Sequence, residues 1–232
     1  MSILRSYIKE VLLKENEYGW STASKKTMLL DKPGMEDSDK EKQEEYLKSM
    51  SLMESPLVDP QEILIPGPPA KAQRMAELPL IQHQYENRKA PEELQKALDE
   101  SPEELFNVII KSAGHPCAMS LIEDLHAGIT DIVKNHKDHF ALPRPNELAA
   151  EIGYPFQIDY LESAQTPSYP SGHTAQAYFT AFALGDLYPE LADSFIDLAE
   201  AISDSRVDRG VHFPSDISGG KQLAEVLYEM SK

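Results

Sequence analysis

Residues 205–216 read Ser-Arg-Val-Asp-Arg-Gly-Val-His-Phe-Pro-Ser-Asp, and this stretch decides how the rest of the chain is interpreted. It holds a permanent cation, Arg206, an imidazole, His212, and a carboxylate, Asp216. Apolar residues recur at helical spacing on both sides of it, at Leu191, Phe195, Leu198 and Ile202 before it and at Ile217, Leu223, Val226 and Leu227 after it. The stretch therefore predicts a polar connection between two amphipathic helices.

Two segments upstream carry the same kinds of polar side chain. One is Lys137 with Arg144-Pro145, and the other is Pro170-Ser171-Gly172-His173. The first follows a helical apolar pattern of Ala118, Leu121, Ile122, Leu125, Ile129, Ile132 and Val133, and the second opens one of Thr174, Ala177, Tyr178, Ala181 and Phe182. No alternating strand pattern competes. We therefore predict an all-α fold, a helical bundle with the active site at converging helix ends.

The cations in these segments suit a tetrahedral oxyanion. Arginine offers a planar fork that meets two phosphate oxygens at once, and lysine acts as a movable point charge. Lys137, Arg144 and Arg206 could together neutralise the charge of a phosphate group without a metal ion. Ser171 and Gly172 open a helix whose unpaired N–H groups would face the anion, and Gly172 lets the backbone come close. We predict that these five residues bind phosphate, and we call them the oxyanion cage.

The two histidines and the carboxylate could supply the chemistry. An imidazole in line with the leaving group can form a phosphohistidine, and a carboxylate on its other nitrogen fixes the tautomer. A second imidazole can protonate the departing oxygen. Asp216 lies four residues after His212 and suits the orienting role. The residues alone do not decide whether His212 or His173 attacks.

The order and spacing of the three segments resemble the signature of the type 2 phosphatidic acid phosphatase superfamily. This superfamily includes soluble class A bacterial acid phosphatases, to which the chain is closest in type, membrane lipid phosphatases and vanadium haloperoxidases. The resemblance implies a helical fold with His212 as nucleophile, Asp216 as its orienting partner and His173 as general acid and base. It also implies a phosphoric monoester hydrolase that acts on a small phosphorylated substrate, without a metal, through a phosphohistidine. Asn146-Glu147 follow Arg144-Pro145 where relatives often have an aromatic residue, which predicts a more polar rim.

Two alternatives from other functional classes stay open. A vanadium-dependent haloperoxidase would hold vanadate in the same cage, with His212 as its covalent ligand, although the chain is short for that class. A non-catalytic structural or interaction protein could retain the oxyanion cage. Apart from vanadate in the first alternative, we expect no cofactor and no metal. His136 and His139 lie near Glu123, Asp124 and His126 in sequence, but these residues form no recognisable closed ligand set.

Composition and charge narrow the partners. The 232 residues carry a net charge of −17, which argues against binding nucleic acid or an anionic membrane surface. No apolar run approaches the ~20 residues of a transmembrane helix, so integral membrane association is not expected. The charged residues near the N-terminus are unlike a secretory signal. We expect a protein that is cytoplasmic or otherwise soluble.

The chain is predicted to divide near residue 70. Residues 1–70 comprise an amphipathic helix, with Ile3, Leu4, Tyr7, Ile8, Val11 and Leu12 on one face, and an acidic, partly disordered extension. We expect one short helix in this extension near Lys40 to Met53. The first helix could pack on its own domain, in a homo-oligomer or on another protein. Residues 71–232 are predicted to form the phosphatase-like helical domain, in which Ser101 caps a helix that begins at Pro102.

Overall fold

The computed structural model describes residues 37–50, 65–158 and 161–232, and these residues form helices without a strand. The α-helices are α1 (Asp37–Ser49), α2 (Lys71–Glu86), α3 (Glu92–Glu100), α4 (Pro102–Ser112), α5 (Met119–Phe140), α6 (Pro145–Ile152), α7 (Gly172–Leu187), α8 (Ala192–Asp208) and α9 (Pro214–Met230). Short 3-10 turns at Glu162–Ala164 and Pro189–Leu191 precede α7 and α8 respectively. The predicted all-α class is confirmed.

The helices form where the apolar spacing predicts them. In α5, the 22-residue helix, the six periodic residues from Leu121 to Val133 are all buried. Phe195, Leu198 and Ile202 of α8 are likewise buried. Since their apolar side chains recur every three or four residues, each helix places one stripe against the core and leaves the other face to water. The main core is built from these stripes.

Helix α7 lies at the centre of the bundle and packs against α5, α8 and α9. Its buried residues lie on most sides of the helix and are mostly small, namely Thr174, Ala175, Ala177, Tyr178, Phe179, Thr180, Ala181, Ala183 and Leu184. A helix that is apolar all round must be surrounded by others. Small side chains let the three neighbours come close to its axis. The first turn of α7 is therefore held from three sides.

A second, smaller core joins α2 to the end of the bundle where the polar segments lie. Leu78 and Ile81 of α2 pack with Leu148 of α6 and with Phe213, and all four are buried. Phe213 directly follows His212 in the chain. Burial of these side chains contributes about 1.5–3 kcal/mol each, so α2 helps to fix the segment that carries the imidazole.

Five helix ends converge at one end of the bundle. The C-terminal turns of α5 and α8 meet the N-termini of α6, α7 and α9 there. Gly220 in α9 makes the approach of α9 to α7 possible, because a Cβ at that position would lie 2.6 Å from the carbonyl oxygen of Ser171. N-terminal helix ends carry partial positive charge, so three of them favour an anion at this end.

The short helix predicted near Lys40 to Met53 is observed as α1, Asp37–Ser49, and it packs on α5. Gln43 Nε2 donates to Tyr188 Oη at 3.1 Å, and Tyr46 Oη donates to Asp186 Oδ2 at 3.1 Å. The amphipathic helix predicted from Ile3 to Leu12 lies outside the described residues. No helix in the described ranges is both long and apolar enough to cross a bilayer.

Helix α4 begins at Pro102 as predicted, but the role expected of Ser101 is wrong. The Ser101 side chain makes no capping hydrogen bond, because its backbone lies at φ −146° and ψ 47°. The backbone N–H of Ser101 instead donates to the carbonyl oxygen of Ala97, at the end of α3. Ser101 therefore joins α3 directly to α4. This junction lies beside the polar end of the bundle, where Asp99 of α3 accepts a hydrogen bond from Arg206 of α8.

Candidate active site

The structure brings the predicted site residues together from five helix ends. Lys137 lies in the last turn of α5 and Arg206 in the last turn of α8. Arg144 is the N-cap of α6 and Ser171 the N-cap of α7, followed by Gly172 and His173 in its first turn. His212 precedes α9, and Asp216 is in the first turn of α9. Arg144 and His212, 68 positions apart in sequence, are thus within hydrogen-bond distance.

His212 is held between a carboxylate and a guanidinium. Its Nδ1 lies 3.0 Å from Asp216 Oδ2, and its Nε2 lies 3.3 Å from Arg144 Nη1. Because Arg144 can only donate, Nε2 must be the acceptor and Nδ1 the protonated nitrogen of a neutral ring. Burial and the positive charge of Arg144 hold the pKa of His212 well below its ordinary value. The Nε2 lone pair therefore faces the cationic side of the cage.

Asp216 is fully buried and its Oδ2 accepts three hydrogen bonds. The donors are His212 Nδ1, the backbone N–H of Phe213 at 2.9 Å and Ser168 Oγ at 2.5 Å. Burial raises the pKa of Asp216, and the bonds from Ser168 and Phe213 oppose that shift. Three donors on one oxygen leave the carboxylate a single orientation toward the imidazole. Ser168 was not singled out from sequence, although it lies only two residues before Pro170.

Lys137 is a buried cation that faces backbone carbonyls. Its side chain is 6% exposed, and Nζ donates to the carbonyl oxygen of Pro167 at 2.5 Å and of Ser168 at 3.4 Å. Burial and the nearby charge of Arg144 lower the pKa of Lys137 to about 7. An anion placed beside Lys137 would reverse that shift, since an opposite charge favours the ammonium form.

The Arg144 guanidinium is held in place by two backbone carbonyl groups. Its Nε donates to the carbonyl oxygen of Thr166 at 2.8 Å, and its Nη1 donates to that of Val211 at 2.8 Å. Its backbone N–H donates to Glu147 Oε2 at 2.7 Å, which anchors the start of α6. Burial and the charge of Arg206 lower the pKa of Arg144 to about 10, so the guanidinium stays charged at neutral pH.

Arg206 is fully buried and pairs with a carboxylate that the sequence motifs do not include. Its Nη1 donates to Asp99 Oδ1, and its Nη2 donates to Ser163 Oγ at 3.0 Å. Its Nε is buried and has no hydrogen-bond partner in the described part of the chain. An unpaired buried donor costs about 1–3 kcal/mol, so this N–H is available to an incoming oxyanion. No pattern distinguished Asp99 among the acidic residues of α3 and α4.

The first turn of α7 completes the site. The backbone N–H of Ser171 donates to the carbonyl oxygen of Asp216 at 3.0 Å, and Ser171 Oγ accepts from Thr174 Oγ1 at 3.0 Å. A Cβ at Gly172 would lie 3.5 Å from Lys137 Cε and would narrow the space beside the ammonium group. His173 is partly exposed, and its Nε2 lies 3.2 Å from the carbonyl oxygen of Asp99.

Arg74 of α2 supports two of the motif segments from behind. It is 2% exposed, donates through Nη2 to the carbonyl oxygen of Pro143 at 2.5 Å, and places its guanidinium 4.4 Å from the ring centre of Phe213. Pro143 precedes Arg144 and Phe213 follows His212. Arg74 thus ties the arginine and the imidazole segments together. Sequence reasoning missed it because it lies 63 residues before the first motif, Lys137, on a helix without a marked apolar stripe.

A cleft of about 550 Å³ opens beside Arg144. It is lined by Ala141, Leu142, Pro143, Arg144, Asn146, Glu147, Ala164, Gln165, Thr166 and Pro167. Asn146 and Glu147, which led to the prediction of a polar rim, thus line a cleft at the edge of the cage. Gln165 and Thr166 add an amide and a hydroxyl to the lining.

Residues 120–227 match the model of the PAP2 superfamily. The chain is 25% identical over 147 residues to a non-specific acid phosphatase of Providencia stuartii, and the aligned part covers 60% of this chain and 58% of that protein. It also resembles the crystal structure described as the first transmembrane PAP2 type phosphatidylglycerolphosphate phosphatase from Bacillus subtilis. That comparison has a TM-score of 0.49 and 21% identity, covering 70% of this chain and 85% of the other. The predicted resemblance is confirmed, because the residues that match the PAP2 superfamily model include Lys137, His173 and His212.

Proposed function

We propose that the chain is a phosphatase that hydrolyses phosphate monoesters through a phosphohistidine on His212, without a metal ion. The observation that carries the proposal is the placement of His212, whose Nδ1 is held by Asp216 while Nε2 faces the guanidinium of Arg144. A neutral imidazole in this state has an unprotonated Nε2, whose lone pair lies on the side where an oxyanion would be bound.

The first half of the reaction forms the covalent intermediate. The lone pair of His212 Nε2 attacks phosphorus, and the bond from phosphorus to the leaving oxygen breaks. The leaving oxygen takes a proton from His173, so that an alcohol departs. The positive charge that develops on His212 is stabilised by Asp216, which lies 3.0 Å from Nδ1.

The second half restores the protein. Water attacks phosphorus and gives its proton to His173, and the bond between phosphorus and Nε2 breaks. Lys137, Arg144 and Arg206 face the non-bridging oxygens throughout, where fixed cations in a buried site stabilise the transition state. These three positive side chains neutralise the negative charge of the transferring phosphoryl group, so the proposed mechanism uses no metal ion.

The substrate proposed for this site is a small, soluble phosphate ester. Asn146, Gln165 and Thr166 give the cleft beside Arg144 a polar lining that can hydrogen-bond a hydroxylated leaving group. Turnover of glycerol phosphate or a nucleoside monophosphate should exceed turnover of a dispersed lipid phosphate, and a clear preference for the lipid would overturn the substrate class while leaving the chemistry intact.

The test of the reaction is hydrolysis of an aryl phosphate in the presence of a metal chelator. Turnover by the native chain should survive chelation, be inhibited by vanadate and be lost in His212→Ala. His83→Ala is the matched control, because His83 is an exposed histidine on α2 and should be dispensable. Halide oxidation in the presence of vanadate and peroxide, without hydrolysis of the ester, would show that the chain is a haloperoxidase instead. Neither activity, with no vanadate binding, would favour the non-catalytic alternative.

A further inference from the structure

The junction of α3 and α4 places a carboxylate against the oxyanion cage. The Asp99 side chain is 7% exposed, and its Oδ1 accepts from Arg206 Nη1 and from Ser163 Oγ at 2.7 Å. Asp99 precedes the residues that match the PAP2 superfamily, 120–227, so it is not part of the family pattern used above. Burial disfavours the charged form of Asp99, but Arg206 and Ser163 outweigh it and lower its pKa. Asp99 is therefore an anion at the site.

The second contact of Asp99 is with His173. His173 Nε2 lies 3.2 Å from the backbone carbonyl oxygen of Asp99 and 3.4 Å from its Oδ1. Both are acceptors when the carboxylate is ionised, so Nε2 must carry the proton. His173 Nδ1 makes no hydrogen bond with any residue that the structure describes. The His173 side chain is 21% exposed.

The two histidines of the site are therefore held by opposite nitrogens. The carboxylate of Asp216 binds Nδ1 of His212 and leaves Nε2 to react, whereas the backbone carbonyl of Asp99 accepts from Nε2 of His173 and leaves Nδ1. The acceptor on one nitrogen fixes the tautomer, and the negative charge of the Asp99 carboxylate, 3.4 Å from Nε2, stabilises the protonated ring. This is the property that a general acid requires, because it must be protonated when the leaving oxygen departs.

We propose that Asp99 is a positioning residue for His173: it holds Nε2–H so that Nδ1 exchanges the proton with the leaving group, and its charge stabilises the imidazolium. The inference rests on the proposed function. It adds a second histidine–carboxylate pair to the site, with one pair serving the nucleophile and the other serving the acid.

The charges around His173 explain why such a partner is needed. Burial, with the positive charges of Arg206 on α8 and Lys137 on α5, lowers the pKa of His173 to about 3. Asp99 opposes this shift from α3, and Glu103 also interacts electrostatically with His173 from α4. A bound phosphate dianion would neutralise the cations, and Asp99 would then favour protonation of the ring.

Leaving-group dependence separates positioning of His173 from simple support of Arg206. Dinitrophenolate leaves without a proton, whereas the alkoxide of glycerol 2-phosphate needs one. Because kcat/KM reports the phosphorylation step, in which the leaving group departs, Asp99→Asn should lower kcat/KM about 10- to 100-fold for glycerol 2-phosphate and less than about 3-fold for 2,4-dinitrophenyl phosphate. Glu100→Gln is the matched control, since Glu100 is the exposed neighbour of Asp99, and it should behave as the native chain with both substrates. Equal losses of kcat/KM with both substrates would show that Asp99 only holds Arg206 and would overturn the proposal.

A second readout does not depend on turnover. In long-range ¹H–¹⁵N spectra of the labelled native chain, assigned with His173→Gln, the His173 ring should carry its proton on Nε2. A proton on Nδ1 instead would overturn the proposal. A native chain that hydrolyses neither ester would refute the proposed function, and the spectrum would still decide whether Asp99 sets the tautomer.

Discussion

Asp216→Asn removes one charge from the site and little of its shape. The amide oxygen can replace Oδ2 and accept from His212, Ser168 and Phe213, which leaves the NH₂ group at the position of Oδ1. Oδ1 is buried without a partner among the described residues, so this arrangement leaves a buried unsatisfied donor and costs about 1–3 kcal/mol of stability. The reverse orientation would set NH₂ against three donors. The variant should therefore fold with His212 in place.

The loss of charge acts on the phosphohistidine. The carboxylate oxygen lies 3.0 Å from His212 Nδ1, and a unit-charge pair about 4 Å apart gains about 4 kcal/mol at the effective dielectric near 20 that describes protein sites. At about 1.4 kcal/mol per tenfold, the rate of phosphorylation should fall about 10²- to 10³-fold. Rapid-quench measurement of the burst with an aryl phosphate reports this step.

Ser168→Ala is the control for the hydrogen bond alone. It removes one donor to the same Oδ2 and keeps the negative charge, so the expected cost is about 1 kcal/mol and less than about tenfold in rate. A rate for Asp216→Asn within about fivefold of the native value, with the variant folded, would refute the reasoning that the carboxylate stabilises positive charge on His212.

Three further predictions concern the cage and the backbone. Burial lowers the pKa of Lys137 to about 7, so its ammonium group is charged below that pH and loses its charge above it. Inhibition by sulfate should therefore weaken from pH 7 to 9 in the native chain and not in Lys137→Met. A native inhibition constant that does not change with pH would contradict the assignment. Gly220→Ala places a Cβ 2.6 Å from the carbonyl oxygen of Ser171 and should lower the free energy of unfolding in urea by about 1–3 kcal/mol. Gly67→Ala is the control, because a Cβ there meets open space and should change the free energy of unfolding little. Equal effects of the two substitutions would exclude the packing explanation. Ala141 ends α5 at φ 47°, a left-handed backbone conformation that costs a non-glycine residue about 1–2 kcal/mol. Ala141→Gly should therefore raise the urea midpoint of unfolding. A lowered midpoint would contradict this reasoning.

The cage could be predicted because its members are distinctive in sequence. Arg144, Ser171 and His212 each stand at the end of an apolar helical pattern, and helix ends on the same side of a bundle must meet. Periodicity therefore located α5, α7 and α8, and the motifs located the site on them.

The supporting residues could not be predicted in the same way. Asp99 is one acidic residue among many, and its role depends on the packing of the α3–α4 junction against α8 and on which carboxylate then lies nearest to Arg206. Arg74 acts through a backbone carbonyl and an aromatic ring, which leave no pattern in the chain. Ser101 had the expected residue type for a cap, but the tight connection from α3 to α4 imposes a backbone conformation that prevents it. Local patterns thus identify the side chains that we propose contact phosphate, and tertiary packing selects the groups that hold those side chains.

Direct detection of phosphate on His212 tests the central claim most sharply. The native chain would be mixed with a ³²P-labelled aryl phosphate, quenched in alkali within milliseconds to preserve phosphohistidine, and mapped by proteolysis and mass spectrometry. The account predicts labelled phosphate on the peptide that contains His212, at up to one equivalent per chain, and none in His212→Ala. Turnover by the native chain with label on another residue, or with no covalent label at any time, would contradict it.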